Sequence, residues 1–180
     1  MSSLDFAMRA KELDFFAGNL QKKISHFHRN DLPWRKNRTP YAVWVSEIML
    51  QQTQVNRVVE YYLRFMNRFP DIQILSMAKW EDFLPYYQGL GYYHRGRNML
   101  ETAKKIVKHY HLQFPNTKKE LQSFPGIGSY TASAILAFGF GFPNLAFDTN
   151  MKKIFGRYLF GNKHNQVSPD QIEIYLHTYL

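Results

Sequence analysis

The sequence predicts an all-α fold, arranged as an irregular bundle of short helices. Apolar residues recur at spacings of three or four along most segments, which is the period of an amphipathic helix. No stretch of useful length alternates between apolar and polar residues as a half-buried strand does. The brief loops between apolar segments favour a compact bundle over a coiled coil. With 180 residues, the chain can form one ordinary domain, or two small lobes sharing a core.

Each predicted helix rests on its apolar period and on start or stop signals in chain order. A long amphipathic helix is predicted over residues 4–27, and residues 30–40 are predicted to form a loop. Thr39 and Pro40 are typical of an N-cap and a first helical position, so a helix should begin there. The remaining predicted helices cover residues 41–51, 54–69, 72–78, 80–87, 93–110, 118–124, 130–138, 148–159 and 169–180.

Composition narrows the class of function. The chain carries 23 Lys+Arg against 14 Asp+Glu, a formal net charge of +9, which favours a polyanionic partner such as nucleic acid. It contains no cysteine, so disulfides, thiolate nucleophiles and thiolate metal sites are excluded within this chain. The histidines show no metal-ligand spacing, and no metal site is predicted. Neither a signal peptide nor a membrane span is recognisable, so we expect an intracellular protein.

Gly126 and Gly128, separated by one apolar residue, predict a tight turn between two helices. Such a glycine pair can be simple loop punctuation. The helices predicted on both sides favour a helix-hairpin-helix, whose free backbone amides bind a DNA phosphate. That contact would position the protein on DNA without reading base sequence.

Glu47 is an acid within an otherwise apolar predicted helix. It could simply lie on a solvated helix face, and the local pattern alone leaves that alternative open. The apolar residues on both sides of it leave little polar surface, so we expect burial, which would raise its pKa and make it a proton donor near neutrality. Gln51 and Gln52 end the same helix with polar groups able to reach a duplex.

Residues 89–98 combine a glycine turn with two adjacent tyrosines and Arg95. The segment could be a capped loop with a tyrosine in the core. As a DNA-binding element, it offers Tyr92 as an aromatic wedge and Arg95 as a phosphate ligand.

Taken together, these motifs resemble the MutY-type adenine DNA glycosylases of the helix-hairpin-helix, endonuclease III-like superfamily. The resemblance spans residues 32 to about 158, over two thirds of the chain. The signature at residues 51–53, Gln-Gln-Thr, separates this group from the related thymine and oxidised-pyrimidine glycosylases. The segments that carry the resemblance are residues 32–35, 39–41, 44–55, 89–93, 125–132 and 148–150.

The resemblance implies excision of adenine mispaired with 8-oxoguanine or guanine. Glu47 matches the acid that protonates the flipped adenine, and Asp148 matches the carboxylate that stabilises an oxocarbenium-like sugar. Asn150 matches a residue that orients the catalytic groups and water. Tyr130 stands where lyase-active relatives carry a Schiff-base lysine, which implies a monofunctional glycosylase.

The DNA contacts implied by the motifs lie in four segments of the chain. Gln52 and Tyr92 match residues that enter the base stack and help to extrude the adenine. The full set of expected DNA-binding residues is Gln51, Gln52, Tyr92, Arg95, Gly126, Gly128, Trp34 and Arg35. The expected partner is double-stranded DNA with a mismatched or oxidised base pair. The protein is expected to act as a monomer, without a membrane, in the bacterial cytoplasm and nucleoid or in a nucleus.

Two features of the family are missing from this sequence. Relatives usually hold an iron–sulfur (4Fe-4S) cluster through cysteines that follow the last core helix, and they carry a C-terminal domain that reads 8-oxoguanine. This chain has no cysteine and ends at Leu180, so we expect no cofactor in it. It would then be an incomplete chain or a cluster-free variant. Thr149 also stands where most relatives have a glycine after the catalytic acid.

The resemblance further implies a six-helix lobe over residues 31–137, packed on a second lobe built from residues 1–30 and 138–180. The active site would lie in the cleft between the lobes. Two alternatives remain: a thymine glycosylase acting on T·G mismatches, and a DNA-binding fragment impaired in catalysis. The retention of Glu47, Tyr130 and Asp148 argues against the fragment, because phosphate binding needs none of them.

Overall fold

The computed structural model describes residues 14–19, 22–23, 31–161, 166–168, 171–172, 174 and 176, and within these it contains helices and no strand. The all-α prediction is therefore confirmed. The helices are α1 (Pro33–Lys36), α2 (Pro40–Leu50), α3 (Val55–Arg68), α4 (Ile72–Met77), α5 (Trp80–Tyr87), α6 (Tyr93–His109), α7 (Lys118–Leu121), α8 (Ser129–Ala134) and α9 (Thr149–Phe160), with a π-helical turn at Ile135–Gly139 after α8.

Most helix boundaries agree with the sequence prediction, and their capping explains why. Thr39 caps α2, since its side chain accepts a hydrogen bond from the amide of Ala42 at 3.2 Å, and Pro40 takes the first helical position. The predicted loop at residues 30–40 is wrong in part, because Pro33 begins the short helix α1 there. The helix predicted to reach residue 124 ends at Leu121, where tight turns take over.

The helix predicted over residues 130–138 is α-helical only in its first half. It starts as α8 and widens into the π-helical turn that ends at Gly139. Gly139 packs against the first turn of α2, where an added Cβ atom would lie 2.7 Å from the Cα of Pro40. Only a glycine permits this close approach.

The main hydrophobic core surrounds α2, which packs against α3, α8 and the π-helical turn. Trp44, Val45 and Met49 on this helix are almost fully buried. A helix that is apolar on nearly every side is suited to the centre of a bundle. Any polar side chain on α2 is therefore held in place by its neighbours.

A second, smaller apolar cluster forms around α9 and includes Phe147, Ile172 and Leu176. The ring of Phe16, in the helical residues 14–19, contacts Tyr158 of α9 with ring centroids 4.2 Å apart. The division into one lobe over residues 31–137 and a second lobe from residues 1–30 and 138–180 stays a prediction.

The predicted terminal helices fall mostly outside the described residues. Residues 14–19 and 22–23, within the predicted helix 4–27, are helical, and so are residues 171, 172, 174 and 176 within the predicted helix 169–180. In the described part of the chain, no helix has the length and apolar character needed to cross a bilayer.

Candidate active site

Glu47 is the one residue between Tyr41 and Met49 on α2 that retains partial exposure. The helix turns most of its other side chains into the core, so this carboxyl group lies in largely apolar surroundings, within reach of Tyr130 and Asp148. Burial raises the pKa of Glu47 to about 7. The alternative of a solvated helix face is excluded by these buried neighbours.

Tyr130 and Asp148 are both close enough to Glu47 to influence its ionisation. Beyond the larger effect of burial, a hydrogen bond from the Tyr130 hydroxyl lowers the pKa of Glu47, and the charge of Asp148 raises it. Burial also raises the pKa of Tyr130, with further contributions from the charges of Glu47 and Asp148. The phenol therefore stays protonated at neutral pH and can donate to the carboxylate.

Asp148 occupies the N-cap of α9. Its Oδ1 accepts a hydrogen bond from the amide of Met151 at 2.7 Å, which is the usual geometry of an aspartate cap. The positive end of the helix dipole stabilises negative charge at this position. Thr149 and Asn150 follow in the first turn of α9, and both are exposed.

A cleft of about 420 Å³ lies between the start of α8 and the start of α9. Its volume is within the range that accommodates a small organic group such as a nucleoside. The residues that line it are Ser129, Tyr130, Ser133, Phe147, Asp148, Thr149 and Lys152. Glu47 reaches this group through its hydrogen bond with Tyr130.

The glycine hairpin precedes α8 at one end of the cleft. Gly126 has a φ of +81°, which favours glycine. An added Cβ there would lie 3.1 Å from the side-chain nitrogen Nδ2 of Asn98. Gly128 is the N-cap of α8, and no side chain caps that helix. Both glycines are exposed, so the first amides of α8 can bind an anion from outside.

Gln52 and Tyr92 share an unusual backbone conformation. Their φ angles are 55° and 48°, in the left-handed region that residues other than glycine seldom adopt. Both side chains are exposed, and each follows or precedes a helix of the core. Strained residues of this kind cluster at functional sites.

Residues 45–178 match the family described as HhH-GPD superfamily base excision DNA repair protein. The chain belongs to this superfamily. The resemblance predicted from the glycine hairpin and the two acids is thus confirmed at the level of the family.

Among relatives of this HhH-GPD chain are enzymes named adenine DNA glycosylase. One from Buchnera aphidicola subsp. Baizongia pistaciae is 45% identical over 141 residues, which cover 78% of this chain and 40% of the relative. The enzyme from Homo sapiens is 39% identical over 166 residues, covering 87% of this chain and 30% of the relative. The matched region therefore spans less than half of the length of these relatives.

Solved structures share the HhH-GPD fold at low sequence identity. A thermostable thymine-DNA glycosylase superposes with a TM-score of 0.81 at 22% identity, covering 94% of this chain and 77% of that one. Endonuclease III in a non-covalent DNA complex gives 0.78 at 19% identity, covering 95% of this chain and 78% of that one. These likenesses show the fold alone.

Two of the expected DNA contacts are corrected by the structure. Arg95 is only 4% exposed, because its guanidinium group is surrounded by backbone carbonyls, so it is not a phosphate ligand. Trp34 is buried, with its ring edge-on to Tyr62 at 5.3 Å, so it serves the core of this HhH-GPD domain rather than a DNA surface. Arg35, on the next position of α1, is exposed.

Sequence reasoning missed two residues that line the cleft. Ser133 lies one helical turn after Tyr130, and its buried hydroxyl has no hydrogen-bond partner among the described residues. Lys152 lies one turn after Asp148 and lines the same cleft. Helical spacing from the two predicted site residues could have identified both of them.

The residues of this chain do not fit an iron–sulfur cluster. Such clusters are held by cysteine thiolates, and the sequence contains no cysteine. In the ranges that the structure describes, no group of three His, Cys, Asp or Glu side chains is placed to hold a metal ion.

Proposed function

We propose that this chain is a monofunctional DNA N-glycosylase that removes adenine mispaired with 8-oxoguanine or guanine in duplex DNA. The single observation that supports it best is the proximity of Glu47, with a pKa near 7, to Tyr130 and Asp148, both of which line the cleft. The names of the adenine DNA glycosylase relatives indicate that the excised nucleobase is adenine. The chemistry follows from the two carboxyl groups, and no cofactor takes part in it.

In this proposal Glu47 is the general acid. An acid with a pKa near neutrality is partly protonated at physiological pH and can donate its proton to the flipped adenine. Protonation makes the base a better leaving group, so the C1′–N9 bond breaks with its electron pair moving to adenine. The hydrogen bond from Tyr130 holds the carboxyl group in place.

Asp148 would stabilise the positive charge that develops on the sugar. A carboxylate held at a helix N-terminus is fixed before the reaction and needs no reorganisation in the transition state. Water then adds to C1′ and loses a proton to a carboxylate, which leaves an abasic site. Asn150, exposed in the same first turn, would orient that water.

The duplex would be held by the glycine hairpin and opened by Gln52 and Tyr92. The amides after Gly126 and Gly128 would bind a phosphate, which fixes position without base recognition. Gln52 and Tyr92 would enter the base stack when the adenine leaves it. Because Tyr130 stands at the position where the resemblance places the Schiff-base lysine of lyase-active relatives, strand cleavage through a Schiff base is not part of the proposal.

The test is excision from a labelled duplex with adenine opposite 8-oxoguanine, followed by alkali to cleave abasic sites. Asp148→Asn is the matched control, because asparagine keeps the size and the capping ability of the side chain. We expect strand breaks with the wild-type chain and few with the variant. Breaks at or below the level of the variant would indicate a DNA-binding fragment without catalysis.

A second panel distinguishes the bases. Duplexes containing A·G and T·G mismatches are compared with the 8-oxoguanine duplex under the same conditions. Preference for thymine in T·G would contradict the adenine assignment and would favour the alternative glycosylase.

A further inference from the structure

Arg95 joins two loops that are distant in sequence. It projects from the first turn of α6 into the core, where it is 4% exposed. Its Nη1 donates to the carbonyl of Ile48 at 2.8 Å, near the end of α2, and also to the carbonyl of Gln51. The last carbonyls of a helix lack partners within the helix, so this cation satisfies them.

The other half of the guanidinium faces the second loop. Nη2 donates to the carbonyls of Leu90 and Gly91, at 3.2 and 3.3 Å. It also lies 3.4 Å from the hydroxyl of Thr53 on the first loop. One planar group therefore binds residues 48–53 on one side and residues 90–91 on the other.

Each of these loops carries one exposed residue with a strained, left-handed backbone. Gln52 lies between Gln51 and Thr53, and Tyr92 follows Gly91 directly. The guanidinium carbon also lies 5.4 Å from the centroid of the Tyr92 ring, within the range of a cation–π contact. A left-handed backbone persists only where the surrounding structure enforces it. Arg95 is the group that both loops share.

We propose that Arg95 is a positioning residue that couples the Gln52 loop and the Tyr92 loop, so that both side chains are presented to the duplex as one rigid unit. The inference rests on the proposed function for the step that the unit serves, extrusion of the adenine. Lysine cannot replace it, because a single ammonium group does not span two sets of carbonyls as the planar fork does.

Three variants test the coupling. Arg95→Met keeps the length of the side chain and removes the donors, and Arg95→Lys keeps the charge and removes the fork. Arg97→Met is the matched control, because Arg97 lies on the same helix, is exposed and stacks on Trp80 instead of contacting either loop. All three lose an arginine from α6. The difference between Arg95→Met and Arg97→Met reports the position of the lost group, and the difference between Arg95→Met and Arg95→Lys reports the contribution of the charge.

Amide hydrogen exchange of the free protein reports the coupling without DNA. We expect Arg95→Met to speed exchange in residues 50–54 and 88–93 together, and Arg97→Met to leave both segments unchanged. Faster exchange in only one loop, or in neither, would overturn the coupling. If Arg95→Met does not fold, Arg95→Lys is expected to show the same paired increase to a smaller degree.

Excision assays report the positioning role. We expect Arg95→Met to slow single-turnover excision of a paired adenine by about 100-fold, the scale of an effect from misplaced groups. Adenine opposite an abasic site is already unpaired and costs less to extrude. The excision rate on this substrate should therefore fall by a clearly smaller factor. Equal losses on both substrates would indicate a merely structural role and overturn the proposal.

A fluorescent probe separates this inference from the proposed function. With 2-aminopurine in place of the target adenine, the wild-type chain should raise the fluorescence on binding, and Arg95→Met should reduce that rise. A wild-type chain that excises no base at all would contradict the proposed function, while the exchange experiment would still decide the coupling of the loops.

Discussion

Glu47 and Asp148 carry the same functional group, a carboxyl group, in two different environments. Glu47 lies in the middle of α2, within the hydrophobic core, and burial raises its pKa to about 7. Asp148 lies at the start of α9, where a backbone amide donates to it. The first setting favours a bound proton on Glu47, and the second fixes the position of the Asp148 carboxylate through the cap of α9. Under the proposed function, position within a helix thus separates Glu47 as the acid from Asp148 as the electrostatic stabiliser.

The largest effect is expected from removing Glu47, the proposed proton donor. Glu47→Gln keeps the shape of the side chain and should slow single-turnover excision by about 10² to 10⁴, the usual contribution of a general acid. Glu60→Gln, at an exposed position of α3, is the matched control and should retain the wild-type rate. A wild-type rate in the Glu47 variant would contradict the proposed role of Glu47 as the proton donor.

Neutralising the other carboxylate should have a somewhat smaller effect. Asp148→Asn is expected to slow excision by about 10² to 10³, as for loss of one preorganised electrostatic group. Its melting temperature should change little, because asparagine caps a helix about as well as aspartate. A large drop in melting temperature would mean that the capping role alone explains the loss.

Tyr130→Phe tests how far the Tyr130 hydroxyl changes the pKa of Glu47. The Tyr130 hydroxyl lowers the pKa of Glu47, so its removal should raise that pKa and move the alkaline limb of the pH–rate profile to higher pH. The rate near neutrality should change by only about two- to ten-fold, the scale of one hydrogen bond. Tyr110→Phe, where the ring packs on Phe124, should leave the profile in place. A shift to lower pH would contradict the assigned hydrogen bond.

The smallest effect concerns stability. The pKa of Glu47 is raised in the folded state, so its contribution to the free energy of unfolding is complete below the ordinary pKa of 4.5 and is lost as pH rises through about 7. Glu47→Gln cannot ionise, and it should melt at a higher temperature than the wild type above pH 7. Below pH 4.5 the gap should close.

Calorimetric scans across this pH range check the prediction. A gap between Glu47→Gln and the wild type that does not grow from pH 4.5 to pH 7 would contradict the raised pKa of Glu47.

Much of this arrangement could be predicted from local sequence. The helices follow from the apolar period, and Thr39 with Pro40 marks the start of α2 because capping depends on neighbouring residues only. The burial of Glu47 follows from apolar residues on both sides of it. These features need no knowledge of distant parts of the chain.

The role of Arg95 could not be predicted in this way. An arginine beside a glycine turn and two tyrosines is typical of a nucleic-acid surface, and its acceptor on Ile48 lies 47 residues earlier in the chain. The burial of Trp34 has the same origin, since its partner Tyr62 is on α3. The partners of both residues are set by the packing of helices, which the local pattern does not contain.

Gly139 has a consequence for how sequence variation in this chain is interpreted. It lies far along the chain from Glu47, yet its contact with Pro40 holds the first turn of the helix that carries this acid. A larger residue at this point would displace α2 and leave every reacting group chemically intact. In a survey of substitutions, position 139 should therefore tolerate few residues. A substitution there should lower activity as strongly as the loss of a proposed site residue, although it lies outside the cleft.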